Sequence, residues 1–300
     1  VVQTQLDLFA VHTIDPPLRD ARDVMEFPFL SLQKGRTKPI EFSSKNVAIS
    51  VAADIRTSIA TVWDWDIIIF AASHLNQGIE QGLQPSPRLS FTPHDCLRQI
   101  GRGTGGKDYR DLAQAIRRLR LTNVITNLRM DDTDGGEGAF SWLVNYWIPK
   151  RYQSGVLTPS DNGGSPDPTR PWEIELPPWI YNSILRRREI LAVHPDYFQL
   201  TGGLERWLYR LARKSVPDQS SVPAIPFLMQ TLHNRSGSTR KLSQFAFDIR
   251  KLSQENALPE YGLRIDRDGK NELVTFYRDH GKPRRPPRGM SIKIPGNPNS

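Results

Sequence analysis

Cysteine is nearly absent: Cys96 is the only one in 300 residues. No intrachain disulfide can form, which suits a reducing compartment and leaves stability to packing. Long apolar runs are also missing. The longest, Ile67 to Ala72, falls far short of the ~20 residues that a membrane span needs, so no membrane span is expected. The histidines, His12, His74, His94, His194, His233 and His280, never pair at metal-site spacing. His94 and Cys96 stand two apart in one expected helix and face different ways, so Cys96 reads better as a core residue than as a ligand. Asp64 and Asp66 flank Trp65 and diverge likewise, leaving no convergent carboxylates for nuclease chemistry. Tyr109, Tyr181, Tyr197 and Tyr209 are isolated and read as packing residues. No catalytic residue, metal or cofactor is expected. The start of the chain has neither an initiator Met nor a signal-peptide pattern and reads as trimmed.

Positive charge is abundant. The net charge is +8, and a basic chain points to an acidic partner, either nucleic acid or a membrane surface. Residues 1–24 read as an N-terminal arm. Short strands are expected at Phe27–Leu30, Ile40–Phe42 and Val47–Ala52, and a helix capped by Asp64 runs to about Asn76. Arg88–Phe91 reads as a strand, and Thr92 with Pro93 opens a second helix. A glycine turn leads to a third helix over Lys107–Leu121. Strands at Thr122–Met130 and Ala139–Trp147 then frame an acidic turn, Asp131 to Gly138, as a first wing. Residues 159–170 read as a flexible loop. The pattern recurs after a strand at Trp172–Leu176 and a helix from Pro178. Helices are expected from Thr201, over Pro223–His233 and over Thr239–Glu255, followed by a hairpin turning at Asp266–Lys270. The expected architecture is α+β: two tandem winged-helix (helix-turn-helix plus β-hairpin) domains, 25–158 and 171–280, then a basic disordered tail, 281–300.

The stretch GRGTGGKD, Gly101 to Asp108, resembles a phosphate-binding P-loop in its glycine and lysine spacing. Asp108 stands where a magnesium-binding Ser or Thr is required, and a helix precedes the loop instead of a strand. A nucleotide site is therefore disfavoured. Thr104 reads as an N-cap, with Gly105, Gly106 and Lys107 able to approach a DNA phosphate. The plainer alternative is a tight interhelix turn with a surface lysine.

Between Arg98 and Arg120 the local net charge is +5, and between Arg235 and Gln254 it is +4. Leu112, Ala115, Ile116 and Leu119 form the inner face of the first basic helix. Leu242, Phe245, Ala246, Ile249 and Leu252 or Ser253 form that of the second. The residues expected at DNA in the first domain are Arg102, Thr104, Gly105, Gly106, Lys107, Tyr109, Arg110, Gln114, Arg117, Arg118 and Arg120. In the second they are Arg235, Ser238, Arg240, Lys241, Gln244, Asp248 and Lys251. Arg129, Arg267 and Lys270 are wing candidates, and Lys282, Arg284, Arg285 and Arg288 are tail contacts to phosphate. A single charged helix face is usually just solvated; two in the same context favour DNA.

Four segments carry a resemblance: Met25–Leu32, Ala60–Asp66, Ile100–Arg110 and Leu200–Arg210. They resemble the replication initiator protein A family of bacterial plasmids. That resemblance extends first to Gly105, Gly106, Lys107, Tyr109 and Arg110, then to Gly202, Gly203, Arg206 and Arg210. It implies a cytoplasmic protein that binds repeated sites (iterons) in double-stranded plasmid origin DNA and helps open the duplex. It further implies recruitment of the host initiator protein and replicative helicase, and repression of the initiator's own promoter by a homodimer. A winged-helix transcriptional repressor without initiation activity and a basic protein-interaction scaffold stand as alternatives.

Overall fold

The structure, a computed structural model, describes residues 8–10, 15–128, 136–149, 152, 171–186, 189–216 and 226–279. The first part of the chain contains β1 (Leu8–Ala10), β2 (Arg19–Ala21), β3 (Ile40–Ser43), β4 (Ala48–Ala53), α1 (Asp66–Glu80), β5 (Arg88–Phe91), α2 (Pro93–Gln99) and α3 (Gly106–Leu121). There follow β6 (Thr122–Thr126), β7 (Gly138–Ser141), β8 (Asn145–Trp147), β9 (Trp172–Glu175), α4 (Pro178–Leu185) and β10 (Ile190–Ala192). The last part contains α5 (Gly203–Ser215), β11 (Pro226–Leu228), α6 (Met229–Ser236), α7 (Leu242–Glu255), β12 (Tyr261–Asp268) and β13 (Asn271–Arg278).

Local chemistry sets the helix ends. Thr92 accepts the Asp95 amide at 3.3 Å, and Pro93 takes the first turn of α2, where its missing N–H costs nothing. At α3 the N-cap is Gly105, not Thr104, and the Asp108 carboxylate accepts the Gly105 amide at 3.0 Å. The residue that spoils a P-loop thus closes the first turn of this helix. Glu205 does the same for the Gly202 amide at the start of α5. Next to it, a Cβ on Gly203 would lie 2.2 Å from the Leu32 carbonyl oxygen, so only glycine lets α5 approach that strand of backbone. Asp64 does not cap α1. Trp65 holds that position, while the Asp64 carboxylate accepts the Thr61 amide.

Two sheets share one plan. In one, β9 lies between β5 and β8, with β1 added beside β5; in the other, β13 lies between β11 and β12. All pairings within the shared triplets are antiparallel. In each, a helix precedes the first strand, two helices follow it, and the last strand inserts between the other two. The succession α5–β11–α6–α7–β12–β13 thus repeats the order α1–β5–α2–α3–β8–β9, with β6 and β7 inserted between α3 and β8.

Several expectations change. Residues 122–147 do not form a simple hairpin. β6 pairs with β7 on one side and β4 on the other, building the sheet β3-β4-β6-β7. The expected strand over Ala139–Trp147 breaks at buried Trp142 and Leu143 into β7 and β8, which join different sheets. The connection whose ends meet in the α1–α3 plan is therefore that between β8 and β9, not the acidic turn. Phe27–Leu30 is irregular, with Met25 and Phe29 fully buried. Residues 226–228 form strand β11 because Pro226–Leu228 pairs with Leu273–Thr275, so α6 starts at Met229. The expected arm contributes β1 and β2, and β2 pairs with β10 far along the chain. The loop 159–170, the tail 281–300 and most of the acidic turn lie outside the described residues.

A cluster of aromatic rings anchors α1 to the irregular segment, β7 and α4. Trp65 and Trp142 meet edge to face at 4.8 Å, and Phe140 stacks on Trp179 at 5.0 Å. Cys96 is buried in the same continuous core, and that burial pushes its thiol pKa up.

Candidate nucleic-acid interface

The basic residues divide into two groups that sequence alone does not separate. Arg118 pairs with Asp64 through two bonds, at 2.7 and 2.8 Å. Burial opposes its charge, and Asp64 more than restores it. Arg102 reaches the Trp63 carbonyl and the fully buried Asp66. Arg117 is buried and donates to the Tyr152 carbonyl, while Tyr109 stacks on the Tyr152 ring at 5.9 Å. Arg98 pairs with Asp15 at 2.7 Å. Of the residues expected at DNA, Arg102, Tyr109, Arg117 and Arg118 thus have partners within the protein. Thr104, Gly105, Gly106, Lys107, Arg110 and Gln114 are exposed, and Arg120 is half-buried.

One flank of α3, with Asp108, Asp111 and Gln114, lines a cavity of about 460 Å³. Lys34, Trp63 and Phe198 form its opposite wall. Its lining carries both signs of charge, with Asp64, Asp108 and Asp111 beside Lys34, Arg102, Arg118 and Arg206.

The second basic helix starts later than expected. Lys241 is its N-cap, which leaves Ser238 and Arg240 in the turn, with the Arg240 amide donating to Ser238 Oγ at 3.2 Å. Asp248 binds the Arg240 guanidinium at 3.0 Å, and that pairing accounts for an acid on a basic helix. Arg235 binds Glu26 and packs between the Phe27 and Phe227 rings, so it too is structural. Lys241, Gln244 and Lys251 are exposed, Lys251 with Glu255 at 3.7 Å. Leu242, expected inside, is 37% exposed. Phe247, on no expected inner face, is 63% exposed.

Arg250 binds Glu272 and ties α7 to β13; the bond holds the Glu272 carboxyl below its usual range. Beside this pair runs a groove of about 790 Å³ between α7, the start of α6 and the β12–β13 turn. Gln230, Arg250, Arg267 and Lys270 line it, and the wing candidates Arg267 and Lys270 are exposed. Arg129, Lys282, Arg284, Arg285 and Arg288 lie outside the described residues.

A further set of charges joins the two repeats. Arg206, Arg210 and Lys214 stand one turn apart on α5, and each meets an acid from the first part of the chain. Arg206 binds Asp66 at 2.6 Å, Arg210 binds Asp20 at 2.6 Å, and Lys214 binds Glu26. Asp20 also accepts the Trp65 indole N–H at 2.7 Å. Burial pushes the Asp66 carboxyl up, while Arg206 and Arg102 pull it back. Asp20, Glu26 and Asp66 escape a sequence reading because their basic partners lie 36 to 209 positions away. The available clue is three basic residues at a four-residue interval on a helix rich in Trp and Leu. Near this ladder, Arg36 donates to the Gly237 carbonyl at 2.5 Å. Gly237 has φ +63°, and a Cβ there would lie 2.7 Å from Pro28. The α6–α7 turn is therefore braced by the first part of the chain.

Among the described residues no helix is long and apolar enough to cross a membrane. The chain is 29% identical over 255 residues to a protein of Wigglesworthia glossinidia brevipalpis provisionally described as a replication protein. That match covers 84% of this chain and 86% of the relative. Crystal structures of domains 2 and 3 of RctB share the fold. A selenomethionine form aligns with TM-score 0.53 at 16% identity, covering 82% of this chain and 93% of that one. A second aligns with TM-score 0.52 at 14% identity, covering 85% and 96%. The model of the replication initiator protein A family matches residues 19–263, and the chain belongs to that family.

Proposed function

We propose that this replication initiator recognises repeated sites in double-stranded plasmid origin DNA through two winged-helix units. The units are α1–β5–α2–α3–β8–β9 and α5–β11–α6–α7–β12–β13, and α3 and α7 are their recognition helices. The observation that carries this reading is the repeated strand order, first–third–second, behind two helices whose second member presents an exposed glutamine flanked by exposed basic side chains. In the second unit the wing is the turn at Asp268–Asn271; the β8–β9 connection of the first unit lies mostly outside the described residues.

On α3, Lys107 and Arg110 take phosphates and Gln114 can reach a base edge. On α7, Lys241 and Lys251 take phosphates and Gln244 can reach a base edge. The groove beside Arg250, Arg267 and Lys270 accommodates the sugar–phosphate backbone next to a helix in the major groove. The protein acts without catalysis, metal or cofactor. It loads the host initiator and replicative helicase onto an opened origin, represses its own promoter as a dimer, and works in the cytoplasm.

The test is protection mapping of the full chain on the origin of its own replicon, with permanganate probing of unpaired thymines. Evenly spaced footprints beside an unwound A·T-rich segment support initiation at iterons. Footprints with no unwinding in the presence of host factors would leave a repressor. No footprint at moderate salt would reject DNA recognition.

A further inference from the structure

Phe247 sits where a soluble helix ordinarily carries a polar residue. The buried stripe of α7 is Phe245, Ala246, Ile249 and Leu252. At 100° per residue, Phe247 falls on the opposite side. Its neighbours one turn away are Ser243, Gln244, Arg250 and Lys251, all exposed. The ring is 63% exposed, so the fold makes little use of its apolar surface.

We propose that Phe247 is a specificity-determining residue that contacts thymine C5-methyl groups in the major groove. This inference rests on α7 being a recognition helix. An apolar protein partner would require a contiguous apolar patch, whereas Phe247 stands alone among polar and cationic side chains. Lys241 on the same helix, with Arg250 and Lys251, which also meet Glu272 and Glu255, instead suits a polyanion. Within a major groove, the apolar group a ring can meet at a base edge is the thymine methyl. Gln244, three residues earlier on the same face, matches the acceptor–donor pair of adenine. Together the two residues select A·T pairs at adjacent steps. Asp248 lies one turn from Gln244, and its pairing with Arg240 at 3.0 Å offsets its charge beside the phosphates.

The experiment uses the full chain. It first selects duplexes from a random-sequence pool, then remakes the selected site with deoxyuridine replacing each thymine in turn. Affinities are measured at one fixed salt for the unmodified chain and for Phe247→Ala. A single methyl contact corresponds to roughly fourfold in affinity. The unmodified chain should lose about that factor at one or two thymines within the α7 footprint. Phe247→Ala should bind the thymine duplex more weakly and be indifferent to deoxyuridine at those positions, while retaining its response elsewhere. An unchanged melting temperature is expected for the variant, since the ring packs on little. Affinity equal to that of the unmodified chain, or an undiminished response to deoxyuridine at every position, would overturn the assignment of Phe247 alone. A pool that yields no preferred sequence would overturn the winged-helix reading beneath it.

Discussion

Replacing Arg210 with Met keeps most of the side-chain stem and removes the charge. In the native fold this guanidinium is 1% exposed and grips Asp20, whose side chain is fully buried, at 2.6 and 3.3 Å. Without it, Asp20 retains the Trp65 indole and the Ala21 amide, and its charge is otherwise uncompensated. Breaking one side of such a buried pair costs about 3–5 kcal/mol, a large share of the roughly 5–15 kcal/mol that hold a domain together. At about 2–4 °C per kcal/mol for a body of this size, the melting temperature should fall by roughly 6–20 °C. Adding Asp20→Asn removes the stranded charge and should restore at least half of the loss. The assay is scanning calorimetry at neutral pH. Because the Arg206–Arg210–Lys214 ladder couples the repeats, the Arg210→Met trace should also separate into two transitions. A fall of less than about 2 °C, or a double variant no better than the single one, would refute the claim that a buried ion pair couples the repeats.

Internal pairing of Arg102, Arg117, Arg118 and Arg235 lowers the number of cations available to DNA, so roughly four to six phosphates should be neutralised. A plot of log affinity against log salt should then have a slope of about −4 to −5; a flat response would contradict the electrostatic footprint. Lys107→Ala should weaken cognate and scrambled DNA by similar factors, as expected of a phosphate contact. Calorimetry of the unmodified chain with ATP and magnesium should give no saturable heat, and micromolar binding abolished by Lys107→Ala would reinstate a nucleotide site. Cys96, buried and with its thiol pKa raised, should resist a disulfide reagent in the native protein and react within seconds in denaturant; rapid native labelling would show that the core around α2 opens.

Local signals were legible and distant ones were not. Thr92 with Pro93 marks the start of α2 because both act within one turn. The inner faces of α3 and α7 follow from apolar spacing, and the β12–β13 hairpin from its Asp-Gly turn. The β6–β7 pair looked like a wing because alternation reveals a strand but not its partner; β4 claims the free edge of β6 from about 70 positions upstream. β5 finds β9 at a similar remove. Charge counting likewise does not reveal which basic side chains are paired within the protein. Arg118 looks solvated until Asp64 is folded beside it. Arg206 and Arg210 fall within the segments that resemble the family, and their observed role is to join the repeats. Phe247 is legible as an aromatic on the side of α7 opposite its apolar stripe, yet a reading that seeks basic residues passes over it.

The central claim is that α3 and α7 read different parts of one DNA site from a single coupled body. Footprints of three proteins on the same origin repeat test it: the unmodified chain, an Arg110→Ala/Gln114→Ala variant of α3, and a Gln244→Ala variant of α7. Both variants should retain the native melting temperature, since all three side chains are exposed. The account predicts that the α3 variant loses protection over one segment of the repeat, and the α7 variant over a separate one. Loss of the same segment in both, or an intact footprint in either, would contradict it.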